Sequence, residues 1–254
     1  MTDSTVNLDI DENGVALVTL NAPERRNSMD LDMVEEIVAI VDRCVDDDRV
    51  GALVVTGEGK GFCAGATLDH LAGSTGESES RAVASVYDGF LVFANCPKPT
   101  IAAVNGAAVG AGMNLALACD LRIASTSAKF ITRFLDLGLH PGGGHTWMLQ
   151  RAVGPQVARA MVLFGQEYSG DDAVRVGLAY ECTAPDALIP RALEVGARAA
   201  SMPRELSRRV KTTFRHMYDV DTIAEAVDKE LTVQAWSLQQ PDFKERMAAF
   251  RKKS

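Results

Sequence analysis

Apolar residues along this chain switch repeatedly between strand-like and helix-like spacing. Val6–Ile10 and Val15–Leu20 flank Asp11-Glu12-Asn13-Gly14 and predict a hairpin. A polar loop over 21–29 follows, carrying Pro23, Arg25 and Arg26. Asp30 then reads as an N-cap, with Leu31, Val34, Ile37, Val38, Val41 and Val45 at helical intervals behind it. Residues 52–56 predict a short buried strand. A glycine-rich stretch, Gly57-Glu58-Gly59-Lys60-Gly61, leads from it into Phe62-Cys63-Ala64-Gly65-Ala66. STGESES at 74–80 is the most loop-like segment and is expected to be mobile.

Val83, Val86, Tyr87, Phe90 and Leu91 mark the next helix, which Cys96-Pro97-Lys98-Pro99 stops. Thr100–Val104 returns as a strand, and Asn105-Gly106 through Gly112 opens a small-residue helix ending at Ala118. Residues 121–124 and Lys129–Ile131 predict further short strands. Pro141-Gly142-Gly143-Gly144 introduces a helix over 145–153, with Trp147 and Met148 in the core or a pocket wall. Beyond Pro185 only helical periodicity remains, over 187–200, 204–217, 222–239 and 242–253. Strand–helix alternation followed by helices predicts an α/β core over 1–195 and a helical C-terminal region over 196–254.

At 254 residues the chain can bury a sizeable core without disulfides or metal. Aromatics make up only 6% of it, so that core is expected to pack small side chains closely. No apolar run reaches the length of a membrane span, and the acidic, polar N-terminal stretch is unlike a secretory signal. Cys44, Cys63, Cys96, Cys119 and Cys182 are scattered, odd in number and without CxxC spacing. They read as reduced thiols of a cytoplasmic protein, and the four histidines show no metal-ligand spacing. A net charge of -8 argues against nucleic acid as a partner.

Two Gly/Ala-rich loops carry the candidate chemistry, each expected to follow a buried strand and enter a helix. One runs Gly61-Phe62-Cys63-Ala64-Gly65-Ala66 and the other from Asn105-Gly106 to Gly110-Ala111-Gly112. Small residues let a ligand approach the backbone, and free N–H groups at a helix start are ready anion donors. Two such groups converging on one oxygen form an oxyanion hole for a thioester enolate. The same residues also serve tight turns and close packing, and spacing alone does not separate the two uses. Gly106, Gly110 and Gly112 do not make a dinucleotide fingerprint, there is no P-loop, and no Ser/His/Asp arrangement suggests a protease.

The residues themselves separate the uses. GFCAGATL, PKPTIAAVNGAAVGAGMNLALACDLRIA and LGLHPGGG, in this order, resemble the enoyl-CoA hydratase/isomerase family of the crotonase superfamily, as do LNAPERRNSM and MAAFRKK. The resemblance covers nearly the whole chain. It implies a crotonase-like spiral of ββα units with a C-terminal helical oligomerisation region, assembled as a homotrimer or dimer of trimers. It implies an acyl-CoA or enoyl-CoA substrate, with no cofactor beyond the coenzyme A of that substrate. The thioester oxygen would meet the backbone N–H groups of Ala66 and Ala111, the latter standing where the family usually has glycine. Ala64, Leu68 and Gly142 would line the substrate. Arg25 and Arg26 would face the coenzyme A phosphates, and Phe250 and Lys253 the coenzyme A of a neighbouring subunit.

Family hydratases use two glutamates, and those positions fall on Asn114 and Phe134. Asparagine can bind water but cannot take its proton, and phenylalanine can do neither. Efficient hydration is therefore not expected. Other acid–base candidates are Asp136, which shares the face of Phe134 only if that segment is extended, His140 and His145, and, further off, Asp69. Cys63 reads as packing and Arg133 as a surface charge. Two readings follow: an enzyme of enolate chemistry on CoA thioesters, or a non-catalytic acyl-CoA binding protein.

Overall fold

β3 (Ala52–Gly57) is buried at every residue, which requires cover on both faces of its sheet. The computed structural model of the chain describes residues 4–67 and 77–252, with side chains in the second stretch described from 84 on. Leu68, Asp69, Lys253 and residues 74–76 of the loop expected at 74–80 lie outside the described residues; the rest of that stretch, 77–80, is the first turn of a helix and not loop. The chain divides into two compact units, Met1–Ala200 and Ser201–Ser254.

In the first unit, β1 (Val6–Ile10) and β2 (Val15–Leu20) form the expected antiparallel hairpin. Asp30 caps α1 (Leu31–Asp46) by accepting from the Met33 N–H at 2.9 Å. β2 then pairs in parallel with β3, and the sheet continues through β5 (Thr100–Val104), β7 (Leu121–Ser125) and β10 (Glu181–Thr183), all parallel. A second sheet has the order β4 (Gly61–Cys63), β6 (Ala107–Val109), β8 (Lys129–Ile131), β9 (Tyr168–Ser169).

Three times the chain runs from a strand of the first sheet to a short strand of the second and then into a helix. The helices are α2 (Glu77–Asn95), α3 (Ala111–Ala118) and α4 (His145–Phe164). A short α5 (Gly170–Arg175) follows β9, and α6 (Leu188–Ala200) ends the unit. The expectation that each small-residue loop passes straight from strand to helix is thus corrected. β4 and β6, three residues each and too short to show periodicity, intervene.

The first sheet separates two apolar layers, as the two-residue alternation of its strands requires. Leu53, Val55, Ala102 and Val104 pack in one layer with Met33, Ile37, Phe90, Phe93 and Met113. Val54, Ile101, Ala103 and Ile123 pack in the other with Leu188 and Ala192 of α6. α4 is longer than the helix expected over 145–153, because Gly154 (φ 75°, ψ 169°) and Pro155 interrupt it and a second helical segment continues to Phe164. Trp147, expected inside, is 49% exposed, with the Arg151 guanidinium 3.9 Å above its ring.

The second unit contains α7 (Arg204–His216), α8 (Ile223–Leu238) and α9 (Pro241–Arg251). On α8, Ile223, Val227 and Leu231 recur at four-residue intervals and are exposed. Among the described residues, no helix is long and apolar enough to cross a membrane.

Candidate active site

Parallel pairing of β4 with β6 (Gly61 opposite Ala107, Cys63 opposite Ala108) brings the two small-residue segments out side by side at the same sheet end. The contact between them is close. A Cβ on Gly65 would lie 2.9 Å from the Val109 carbonyl oxygen and 3.7 Å from the Ala111 nitrogen. Ala111 is the first residue of α3, so its N–H has no intrahelical acceptor. Neither it nor the Ala66 N–H finds a protein acceptor among the described residues. Alanine fits at 111 because the left-handed conformation falls one residue earlier, on Gly110 (φ 53°). Cys63 beside them is fully buried, and burial pushes its thiol up to about 12, which suits packing.

The loop over 21–30 is laced to the first of these segments. Ala64 N–H donates to the Arg26 carbonyl (3.0 Å), Met29 N–H to Gly65 (2.7 Å) and Thr67 N–H to Met29 (2.9 Å). The Arg25 guanidinium pairs with the Asp30 carboxylate and lies 3.7 Å from Glu24, whereas the Arg26 side chain is exposed. Asn27, which no sequence motif singled out, holds this region from within. Fully buried and left-handed (φ 56°), it accepts from the Ala22 N–H at 2.9 Å. Its amide donates towards the carbonyls of Glu58 (3.0 Å), Gly61 (2.9 Å) and Phe62 (3.3 Å).

One turn beyond Ala111 on α3, Asn114 is 2% exposed. Its Nδ2 donates to the Gly142 carbonyl at 3.1 Å, and its Oδ1 lies 2.7 Å from His145 Nδ1. That arrangement makes His145 Nδ1 the protonated nitrogen, because Oδ1 can only accept. His145 Nε2 is buried and has no partner among the described residues. Burial alone pulls this imidazole down to about 4, so it is neutral near pH 7. The Phe134 ring meets the imidazole edge-on, centroids 4.9 Å apart, and flanks Gly110, where a Cβ would lie 3.9 Å from Phe134 Cζ. Tyr87 and Phe90 of α2 cover Gly142 and Gly143, so no Cβ fits at either; this draws the start of α4 inward. His145 therefore begins a helix, as its position suggested, but is buried where exposure was the ordinary expectation.

A sequence profile described as enoyl-CoA hydratase/isomerase matches residues 11–254. This chain belongs to that family. Within the enoyl-CoA hydratase/isomerase family it is 49% identical over 247 residues to a probable enoyl-CoA hydratase of Mycobacterium tuberculosis, covering 95% of each chain. It is 34% identical to the 1,2-epoxyphenylacetyl-CoA isomerase of Escherichia coli, covering 94% of this chain and 92% of the relative. The crystal structure of an enoyl-CoA hydratase from Bacillus anthracis superposes with a TM-score of 0.93 at 29% identity, covering 98% and 97% of the two chains. The fold is the crotonase-like spiral.

Of the expected site residues, Ala64, Ala66, Ala111, Asn114, Phe134, Gly142 and His145 are brought together on this scaffold. Asp136 is not. Phe134 has helical dihedrals (φ -64°, ψ -48°) and leads into a 3-10 turn over Leu135–Leu137. The extended geometry that would put Asp136 on the face of Phe134 is therefore missing. The Asp136 side chain is 67% exposed and lies 3.6 Å from Arg133, which also pairs with Glu167. His140 is likewise exposed, its Nδ1 turned to the Pro141 carbonyl at 2.7 Å. Gly142 presents its carbonyl to Asn114 and its Cα to Tyr87. Phe250 lies exposed on α9.

Proposed function

We propose that this family member binds acyl-CoA or enoyl-CoA thioesters and performs enolate-type chemistry on them, with hydration at most a weak side reaction. The observation that carries the reading is the pair of N–H groups on Ala66 and Ala111, which have no protein acceptor among the described residues and stand on adjacent segments. Donors fixed in this way stabilise a thioester oxygen as it gains charge, at no cost in reorganisation. Asn114 and Phe134 weigh against hydration, which needs one group to deprotonate water and another to protonate carbon. Exposure of Arg26 beside the Ala64 segment supports it as the cation for coenzyme A phosphates, whereas Arg25 is already engaged by Asp30. No cofactor beyond the substrate's own coenzyme A is called for.

A non-catalytic acyl-CoA binder is the second reading, favoured by the apolar Phe134 against Gly110 and by an Asn114 amide already committed to Gly142. Incubation with saturated, 2-enoyl and 3-enoyl CoAs in D2O, followed by mass spectrometry, separates the two. Deuterium uptake, double-bond migration or thioester loss supports the enzyme. Binding without change supports the carrier, and absence of binding defeats both.

The proposed assembly is a homotrimer, alone or paired, in the cytoplasm. The exposed row Ile223, Val227 and Leu231 on α8 supports association, since apolar side chains at helical spacing gain from burial. Light scattering that returns a monomer at micromolar concentration would remove this part.

A further inference from the structure

We infer that the proton-transfer group of this site is His145, acting through Nε2, and that Asn114 is the residue that positions it. The inference rests on the thioester reading above and adds the reacting atom. His145 touches the two side chains that bracket the hole: Asn114, one turn along α3 from Ala111, and Phe134, against Gly110. The Gly142 carbonyl fixes the orientation of the Asn114 amide, and the amide fixes the imidazole tautomer. The lone pair is thereby assigned to Nε2, the buried atom left without a partner among the described residues. A buried acceptor with no donor is a standing cost that a ligand's hydrogen removes. Asp136 and His140 turn to the surface and do not compete for this role.

In the step, Nε2 takes a proton from the carbon next to the thioester carbonyl. The C–H pair becomes the new carbon–carbon π bond, and the carbonyl π pair moves to oxygen, where Ala66 and Ala111 N–H donate to it. The imidazole becomes imidazolium and keeps its Nδ1–H on Asn114 Oδ1. Return of the proton to the same carbon gives exchange; return to the far end of a conjugated enolate moves a double bond. No co-reactant is consumed. Asn114 and Phe134, which both touch His145, are uncharged, and burial is the sole cause of its low basicity. The enolate that forms beside it supplies the counter-charge the empty site lacks.

The test is α-hydrogen exchange of butyryl-CoA in D2O by the full chain, with binding measured in parallel by calorimetry. His145→Gln is expected to slow exchange by about 100-fold or more while Kd stays within about threefold. Wild-type exchange should be nearly flat from about pH 5.5 to 8, because the imidazole is already neutral there. Asn114→Asp places a carboxylate against Nδ1–H, stabilises imidazolium and should move the acid limb of the profile upward by about one pH unit or more. Exchange by His145→Gln within about threefold of wild type, or an acid limb unmoved in a folded Asn114→Asp, overturns the inference. Wild-type binding without exchange also overturns it and leaves the thioester site standing; absence of binding removes both.

Discussion

Gly112 presses against Cys63 so closely that a Cβ on the glycine would sit 2.1 Å from the Cys63 carbonyl oxygen. This approach holds the first turn of α3 against the end of β4, and so holds Ala111 beside the segment that carries Ala66. Gly112→Ala must push the two apart, because the obstacle is backbone and cannot swing away. A loss of about 1–3 kcal/mol in urea unfolding is expected, with weaker thioester binding by calorimetry. Unchanged binding in a destabilised variant would mean that the hole is set elsewhere.

Asn27 supports the same region from the opposite side. Asn27→Ala strands the buried Ala22 N–H and removes the donor shared by three carbonyls, from a residue held at φ 56°. The expected cost is about 2–4 kcal/mol in urea unfolding. Asn27→Asp should be at least as damaging, since it turns an acceptor towards those carbonyls. A smaller loss from Asp than from Ala would contradict this account.

The buried imidazole of His145 also gives stability a pH dependence. Its folded value is about 4 against an ordinary 6.5, so between these values the unfolded chain holds a proton that the folded chain does not. Stability should therefore fall as pH drops from about 6.5 to 4, by a total of about 3 kcal/mol from this group. Urea midpoints across that range measure it, and His145→Gln should flatten the slope. An equally steep slope in the variant would assign the effect to other groups.

Asp136→Asn and His140→Gln should leave exchange of butyryl-CoA within about twofold of wild type, since both side chains face solvent. A large loss from either would return that residue to the list of acid–base candidates.

Asn114→Glu alone should not create efficient hydration. Phe134 still offers no second carboxylate, and the substitution removes the donor to the Gly142 carbonyl. Crotonyl-CoA absorbance, followed with the purified variant, reads this directly; a large gain in hydration would defeat the two-carboxylate argument.

The family, the spiral fold and the two small-residue segments were legible because they rest on long runs of small residues in a distinctive order. What stayed hidden depends on distant partners. β4 and β6 are three residues long and become strands only through pairing in the second sheet, β4 with β6 and β6 also with β8. The second half of α4 lies behind Gly154-Pro155, which in sequence reads as an end and in space is a kink. His145 looked like an ordinary helix start; Tyr87 and Phe90, far back in the chain, pack on Gly142 and Gly143 and carry it inside. Asp136 was conditional on an extended backbone, and the 3-10 turn after Phe134 removed the condition. Asn27 stands within LNAPERRNSM but nothing there marks its role, since its importance lies in the Ala22 N–H of its own loop and three carbonyls of a distant segment.

The proposed hole consists of peptide groups, whose positions follow from glycine contacts and strand pairing. Substitution at 114, 134 or 145 leaves those groups in place. On the proposed reading, the grip on a thioester and the reaction performed on it are therefore separately heritable. Relatives can share the first through descent while each side-chain change rewrites the second, and likeness to hydratases speaks for the inherited grip only.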